Sequence, residues 1–139
     1  MTQYQAHRAY IWSGKQAKAR KLLARIRKSK LPRVNRLLSE LRQACAERKI
    51  GSARTIYAQI NQEGDTSARW QAAQIAGDQK AATALLAPLD TPGELRRLVQ
   101  YMVYPTFDMR QYPVLSQTLA ANGTRMTAPI AVPAACPAK

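Results

Sequence analysis

Residues 19–23 read Ala-Arg-Lys-Leu-Leu, and the pattern returns at residues 53–57 as Ala-Arg-Thr-Ile-Tyr and at residues 82–86 as Ala-Thr-Ala-Leu-Leu. The leading alanines are 34 and 29 residues apart. Positions three and four residues apart share one face of an α-helix, so each segment groups a small residue with a large apolar pair. A repeat of about 34 residues is the length of one helix–turn–helix unit of a helical solenoid. The spacing predicts an all-α, right-handed α-solenoid of about four hairpins.

The composition agrees with a helical chain. Of 139 residues, 46% are hydrophobic but only 6% are aromatic, which favours packing of small residues between helices over a β-sandwich. This length suits one domain, which we place at residues 1–123. Residues 124–139 carry Pro129, Pro133 and Pro137, so we expect a Pro-rich tail that is either extended along the domain or disordered.

Breaks in the apolar pattern predict the first two hairpins. The first runs from about Gln3 to Lys28 and turns at Ser13-Gly14. A linker at residues 29–32 ends at Pro32, which disfavours helical geometry in the residue before it. The second hairpin begins near Arg33. We expect its first helix to end around residues 49–51 and Ser52 to cap the next helix.

The remaining hairpins are predicted from turn and capping residues. The third begins at Asp65 or Thr66 and turns at residues 77–78, Gly-Asp. The fourth begins with a capping box at residues 91–94, Thr-Pro-Gly-Glu. A last helix covers residues 109–121, and Pro113 is tolerated only in its first turn.

Positive charge is concentrated in the first half of the chain. Residues 1–57 contain fifteen Lys or Arg and two Glu, a net charge of +13 out of +14 for the whole chain. Residues 15–36 contain ten of these cations and no acid. The predicted basic patch consists of Lys18, Lys21, Arg25, Arg27, Lys28, Lys30, Arg33 and Arg36.

Residues 70–82, Trp-Gln-Ala-Ala-Gln-Ile-Ala-Gly-Asp-Gln-Lys-Ala-Ala, resemble the first-helix face, Gly-Asp turn and second-helix alanine of a divergent tetratricopeptide repeat. Gly14 and Ala19 show the same five-residue offset between glycine and alanine. In the second predicted repeat, Arg48 stands in place of the glycine. Residues 104–115 and 130–137 are similar to the ending of tetratricopeptide-like segments in bacterial signalling proteins. The resemblance implies a concave groove lined by first helices. The groove candidates are Tyr4, Arg8, Ile11, Arg42, Arg69 and Gln71.

The residues that catalysis usually requires are sparse. The only histidine is His7, the eight acids are scattered, and neither phosphate-binding glycine motif is present. We therefore expect no enzyme activity, no cofactor and no metal site.

Binding hypotheses follow from the repeat pattern and the charge. The preferred one is a scaffold for an acidic protein or peptide, in which Arg42 and Arg69 could pair with a carboxylate. The alternative is RNA or DNA binding through the basic patch, although that patch lacks interleaved aromatic residues for base stacking. A membrane surface is disfavoured because the apolar face of residues 22–26 is needed for packing. Self-association of an apolar solenoid end is a further option.

The two cysteines do not have zinc-site spacing. Cys45 lies on an apolar stripe, so we expect a small buried hydrophobic residue. A bridge to Cys136 would need the tail to fold back over the second hairpin, and a reducing compartment disfavours it. No apolar run is long enough for a signal peptide or a membrane span, so we expect a cytoplasmic protein if Met1 is the native start.

Overall fold

The computed structural model describes residues 1–132 and Cys136. Within these residues the regular structure is helical, with no strand, so the all-α prediction is confirmed. The α-helices are α1 (Gln3–Trp12), α2 (Gln16–Arg27), α3 (Arg33–Ala46), α4 (Ile50–Glu63), α5 (Thr66–Ala76), α6 (Gln79–Leu86), α7 (Leu95–Val99) and α8 (Pro113–Ala121). Short 3-10 helices cover Ala87–Leu89, Gln100–Val103 and Met109–Gln111.

The chain divides into two compact units. The first unit contains residues 1–79 together with Cys136, and therefore α1 to α5. The second unit contains residues 80–132. The division into residues 1–123 and 124–139 stays a prediction.

Helix α3 is the central element of the first unit. It packs against α1, α2, α4 and α5, while α1 also packs against α2 and α4 against α5. Leu37, Leu38 and Leu41 are buried on α3, and residues of α4 and α5 complete the apolar cluster around them. Burying each such leucine contributes about 1.5 to 3 kcal/mol. Contacts with four neighbours explain why α3 is buried on most of its circumference.

Three turns of the chain share one backbone geometry. Gly14, Arg48 and Gly77 have φ of 73°, 60° and 74°, in the left-handed region. After each of them, the next residue donates its N–H to a carbonyl five positions earlier, at 2.9, 2.8 and 2.9 Å. This is the Schellman arrangement, which satisfies carbonyls at a helix end. A new helix begins two residues after each turn residue.

The repeated alanines follow these turns at a constant offset. Ala19, Ala53 and Ala82 each lie five residues after the left-handed residue and are buried, with exposures of 0%, 6% and 0%. A side chain without atoms beyond Cβ allows a neighbouring helix to approach closely. The offset that the sequence shows is therefore also an offset in backbone geometry and burial.

The predicted boundary between α3 and α4 is wrong. Helix α3 ends at Ala46 and α4 begins at Ile50, so Gly51 and Ser52 lie in the first turn of α4 and Ser52 does not cap it. The break is made by Arg48, which adopts the left-handed conformation without being glycine. A left-handed non-glycine residue costs roughly 1 kcal/mol, so residue type alone directs attention to Gly51 instead.

The second unit consists of short helices. Leu86, Leu98 and Leu115 are fully buried there, and the rings of Phe107 and Tyr112 stack with centroids 5.2 Å apart. Helix α7 has only five residues and continues as a 3-10 helix. The fourth hairpin therefore has no long first helix.

Capping in the second unit differs from the prediction. Residues 91–94 form a turn, and the N-cap of α7 is Glu94, whose side chain makes no capping hydrogen bond to the helix backbone, so the predicted capping box is wrong. Instead, Asp90 accepts hydrogen bonds from the N–H groups of Val114 and Leu115 at 3.1 and 2.8 Å. A distant carboxylate thus caps α8, which begins at Pro113 in agreement with the expected tolerance for proline.

The described part of the tail, residues 124–132, has neither helix nor strand. The N–H of Ile130 donates to the carbonyl of Pro105 at 2.9 Å. Of the tail prolines, Pro133 and Pro137 lie outside the described residues. Cys45 is buried as expected, with 1% exposure, and it forms the bridge to Cys136 that a reducing compartment was expected to disfavour. The pairing requires two residues 91 positions apart to meet, which the spacing of the cysteines in the sequence does not predict.

Within the part of the chain that the structure describes, no helix has both the length and the apolar character needed to span a bilayer.

Replacing the left-handed glycines tests the common turn geometry. We expect Gly14→Ala and Gly77→Ala each to lower the free energy of unfolding by about 1 to 2 kcal/mol, because an added Cβ disfavours positive φ although it meets no neighbour within 4 Å. Arg48→Gly should raise that free energy by up to about 1 kcal/mol. Urea denaturation followed by circular dichroism measures the change.

Gly51→Ala is the matched control, since Gly51 lies in helix α4 with open space around its added Cβ. This variant should be stabilised by about 0.5 to 1 kcal/mol. Equal effects of alanine at positions 14, 51 and 77 would contradict the assigned turns.

Candidate functional site

Three of the groove candidates are joined by one hydrogen-bond network. The Tyr4 hydroxyl donates to Oε1 of Gln71 at 2.6 Å and accepts from Nη2 of Arg42 at 3.0 Å. The Arg42 guanidinium also lies 4.9 Å from the centre of the Tyr4 ring, within cation–π range. Arg42 is 5% exposed. The network therefore ties α1, α3 and α5 together and engages these side chains inside the first unit.

The other groove candidates lie outside this network. Ile11 is buried, and Arg8 is half-buried with its guanidinium 5.0 Å from the Trp12 ring. Arg69 is half-buried and two positions from Gln71, a spacing that puts side chains on different faces of a helix. The candidates thus do not form one open row of donors. The pairing of Arg42 and Arg69 with a carboxylate of a partner stays a prediction.

A second polar network, which the sequence reasoning missed, begins at His7. This side chain is fully buried, and its Nε2 lies 3.0 Å from Oε1 of Gln43 on α3. Nε2 of Gln43 donates to Oε1 of Glu47 at 2.9 Å. The Gln43 amide therefore presents its oxygen to the imidazole, which favours a proton on Nε2. His7 lies three residues after Tyr4 and four before Ile11, and this helical register was the signal that could have predicted its burial.

Glu47 connects this network to three neighbouring elements. Its carboxylate accepts hydrogen bonds from Nε of Arg20 on α2 at 2.6 Å and from Gln43, and it pairs with Nζ of Lys49 at 3.0 Å. The Arg20 hydrogen bond first, and then that of Lys49, lower the pKa of Glu47 to about 2. Gln16, Arg20 and residues 46–49 line a shallow depression of about 470 Å³ around it. Arg20 and Lys49, two of the cations that line this depression, are therefore engaged by Glu47.

Burial lowers the pKa of His7 below its ordinary value of 6.5, and the nearby Arg42 charge acts in the same direction. The hydrogen bond with Gln43 opposes this shift only in part. The Nδ1 atom is buried and has no hydrogen-bond partner. A second proton would thus place an unsatisfied charge inside the first unit, so His7 is neutral in the folded protein at neutral pH.

The predicted basic patch separates into paired and unpaired cations. Arg27 pairs with Glu40, Arg33 pairs with Glu63, and Arg36 donates to the carbonyl of residue 27 at 3.5 Å. These contacts join α2 to α3 and α3 to α4 at their ends. The remaining members form no ion pair within the described residues and are exposed. They are Lys18, Lys21, Arg25, Lys28 and Lys30.

Four of the unpaired cations form a line on α2 and its C-cap, and we call this set the cationic stripe: Lys18, Lys21, Arg25 and Lys28. Their spacing of three, four and three residues places them on one face of the helix. Ala19, Leu23 and Ile26, which are buried, occupy the opposite face. At a rise of about 1.5 Å per residue, the stripe is roughly 15 Å long. Its first member also lies 6.0 Å from the centre of the Tyr10 ring.

In the described part of the chain, no group of three or more His, Cys, Asp or Glu residues could hold a metal ion. The chain matches no family model, no curated protein and no solved structure. The resemblance to tetratricopeptide repeats therefore stays a prediction from the sequence.

The buried imidazole makes stability depend on pH. An unfolded chain binds a proton at His7 below pH 6.5, whereas the folded chain resists it, so stability decreases as the pH falls below that value. We expect a slope of at most about 1.4 kcal/mol per pH unit. Denaturant titrations at pH 7.5 and 5.5 measure it. His7→Gln should flatten the difference; an unchanged difference would mean that another group causes it.

Glu47→Gln tests the second network. We expect the variant to lose about 1 to 3 kcal/mol of unfolding free energy at pH 7, because two cations lose a charged acceptor. The control is Glu63→Gln. The Glu63 side chain is 39% exposed and pairs with an exposed arginine, so this variant should lose about 1 kcal/mol or less. Since the pKa of Glu47 is lowered, its contribution should disappear as the pH falls from 4.5 toward 2. Equal losses in both variants would contradict the assigned importance of Glu47.

Proposed function

We propose that this protein is a non-catalytic helical scaffold that binds an acidic protein segment through the cationic stripe. The observation that carries the proposal is the contrast within the basic patch. Arg27 and Arg33 are neutralised by glutamates of neighbouring helices, whereas the four cations of the stripe face outward without an acidic partner in the described chain.

The geometry of the stripe suits an extended or helical acidic segment. Its charges are distributed along one straight line of roughly 15 Å rather than around a pocket. An acidic helix laid alongside could place carboxylates at the same three- and four-residue spacing. Each exposed ion pair contributes only about 0.2 to 1 kcal/mol, so useful affinity needs several pairs together.

The charge of the whole first half of the chain assists such binding. A net charge of +13 within 57 residues attracts an acidic partner over a distance of about one Debye length. This attraction accelerates encounter and excludes basic competitors more than it adds affinity. The partner is therefore expected to be acidic along a whole segment.

The proposal includes a repeat architecture of the tetratricopeptide type for residues 1–86. Support comes from the three equivalent turns at Gly14, Arg48 and Gly77 and from the buried alanine five residues after each. The contact of α3 with both α1 and α5 is also the arrangement in which first helices stack side by side. In this architecture Tyr4, Arg42 and Gln71 stabilise the stacked helices, and the partner binds on α2.

Nucleic acid is the second candidate, because phosphates would also neutralise the stripe and release counterions. Against it, the exposed face of α2 presents Lys and Arg without aromatic rings on which bases could stack. The experiment below distinguishes these two ligands.

Reversing the stripe charges tests the proposal. The variant Lys18→Glu, Lys21→Glu, Arg25→Glu and Lys28→Glu should bind a fluorescent decaglutamate peptide at least tenfold more weakly than the original chain. Fluorescence anisotropy at 50 mM salt measures the dissociation constants. The same titration with labelled single-stranded DNA and RNA of 20 nucleotides tests the alternative.

The matched control reverses four exposed cations outside the stripe: Arg54→Glu, Lys80→Glu, Arg96→Glu and Arg125→Glu. It has the same net charge as the stripe variant, so it should lose less than threefold in affinity if the position of the charges matters. Equal losses in both variants would refute the stripe as a site. Nucleic acid that binds tenfold tighter than decaglutamate, with affinity that collapses between 50 and 200 mM salt, would favour the second candidate.

A further inference from the structure

The disulfide bond between Cys45 and Cys136 attaches Cys136, near the C-terminus, to the central helix of the first unit. Cys45 lies on α3 within the apolar cluster. Cys136 is half-buried and packs against that cluster, and its N–H donates to the carbonyl of Ile75 on α5 at 3.2 Å. The sequence separation of the two cysteines is 91 residues. One covalent bond thus closes a loop that contains all of α4 to α8.

We propose that this disulfide is a redox latch. In the oxidised protein it holds Cys136 against α3 and α5, and its reduction releases Cys136 from these helices while α1 to α5 stay folded. The surface beside Cys45 and Ile75, which Cys136 covers in the oxidised protein, becomes accessible when the latch opens.

Contacts that do not involve the disulfide stabilise the first unit, so we expect it to stay folded after reduction. Its apolar cluster is built from α3, α4 and α5, and the two polar networks join α1 and α2 to α3. Nearly all of these contacts come from residues before position 76. A reduced Cys45 remains a small apolar side chain, which a protein core accommodates without a polar partner.

The position of Cys136, in contrast, depends on the covalent bond. The described residues that precede it, 124–132, have neither helix nor strand. Without the disulfide, non-covalent contacts alone must offset the conformational entropy that Cys136 loses when it is ordered. The contacts shown for Cys136 are its packing and a single backbone hydrogen bond.

The exchange reaction has a defined order. A thiolate of a small thiol reductant attacks Sγ of Cys136, since Cys45 is only 1% exposed. The Cys45–Cys136 bond breaks, a mixed disulfide forms on Cys136, and the Cys45 sulfur leaves and takes up a proton. A second reductant thiolate then attacks the mixed disulfide and releases the Cys136 thiol. Two reductant thiols are oxidised to one disulfide, and the protein gains two electrons and two protons.

The state of the latch follows the redox conditions around the protein. The chain has two cysteines, so no other pairing within one chain competes. An oxidising compartment keeps such a bond closed, whereas the glutathione of a cytosol favours thiols. The cationic stripe is on α2 and the latch is on α3 and α5, so the latch can be tested whether or not the stripe binds an acidic segment.

Glutathione redox buffers test the latch on the full chain. Alkylation by a maleimide followed by mass spectrometry gives the oxidised fraction, and ¹⁵N NMR gives the exchange rate of the residue 136 amide. In the oxidised protein we expect this amide to exchange at least tenfold more slowly than in the reduced protein. The dispersed resonances of α1 to α5 should persist after reduction.

Two variants keep the test decisive. In Cys136→Ser, the residue 136 amide should exchange as fast as in the reduced protein, whatever the glutathione redox ratio. The α1 to α5 resonances should be retained. Cys45→Ser is its matched partner and should behave in the same way. Loss of the dispersed α1 to α5 resonances on reduction would overturn the latch and make the bond a structural staple. Equal amide exchange in both redox states, or two alkylatable thiols in oxidised glutathione, would also refute it.

Discussion

The burial of α3 among four neighbouring helices is the constraint on which the first unit depends. Leu37, Leu38 and Leu41 place apolar surface in the contacts of α3 with its neighbours, and the associated free energy is several kcal/mol. The C-terminal half of α3 has almost no solvent-facing side, since residues 41–45 are all buried. Arg42 and Gln43 in this half, and Glu47 at the C-cap, therefore form hydrogen bonds to partners inside the unit.

These polar residues consequently join neighbouring helices to one another. Arg42 reaches Tyr4 on α1, and Tyr4 reaches Gln71 on α5. Gln43 connects the buried His7 to Glu47, which Arg20 and Lys49 neutralise. A buried polar group without a partner costs about 1 to 3 kcal/mol, so these contacts stabilise the packing of the helices. Residues with the chemistry of a binding groove are thus committed to packing, and the free charges are left on the outer face of α2.

The sequence predicts the features that local chemistry determines. Helix stripes and the glycine turns at residues 14 and 77 follow from apolar spacing and from the left-handed preference of glycine, and the structure has them there. The turn at Arg48 was missed because its conformation is imposed on a residue that does not favour it. The cap of α8 by Asp90 was missed because the two are more than twenty residues apart. The same limit applies to the Cys45–Cys136 bond.

For the candidate site, sequence reasoning could identify the cations but could not sort them. Which arginine meets a glutamate depends on how neighbouring helices align, and Arg27 and Arg33 are separated from their acids by 13 and 30 residues. The four stripe residues carry the same charge, but they have no acidic partner within the described residues. The packing of the helices thus decides which cations of the basic patch form ion pairs within the chain and which stay exposed without one.

The arrangement of the stripe is difficult to explain by folding alone. Lys18 with Lys21, Lys21 with Arg25, and Arg25 with Lys28 are like-charge pairs at three- and four-residue spacing, each of which destabilises a helix by about 0.2 to 0.5 kcal/mol. Glutamate at one of these positions would replace repulsion by attraction and leave the buried face of α2 unchanged. Helix α2 has no acidic residue at all. In the proposed function an acidic partner neutralises this line of cations, and the free energy of binding then includes the relief of their mutual repulsion.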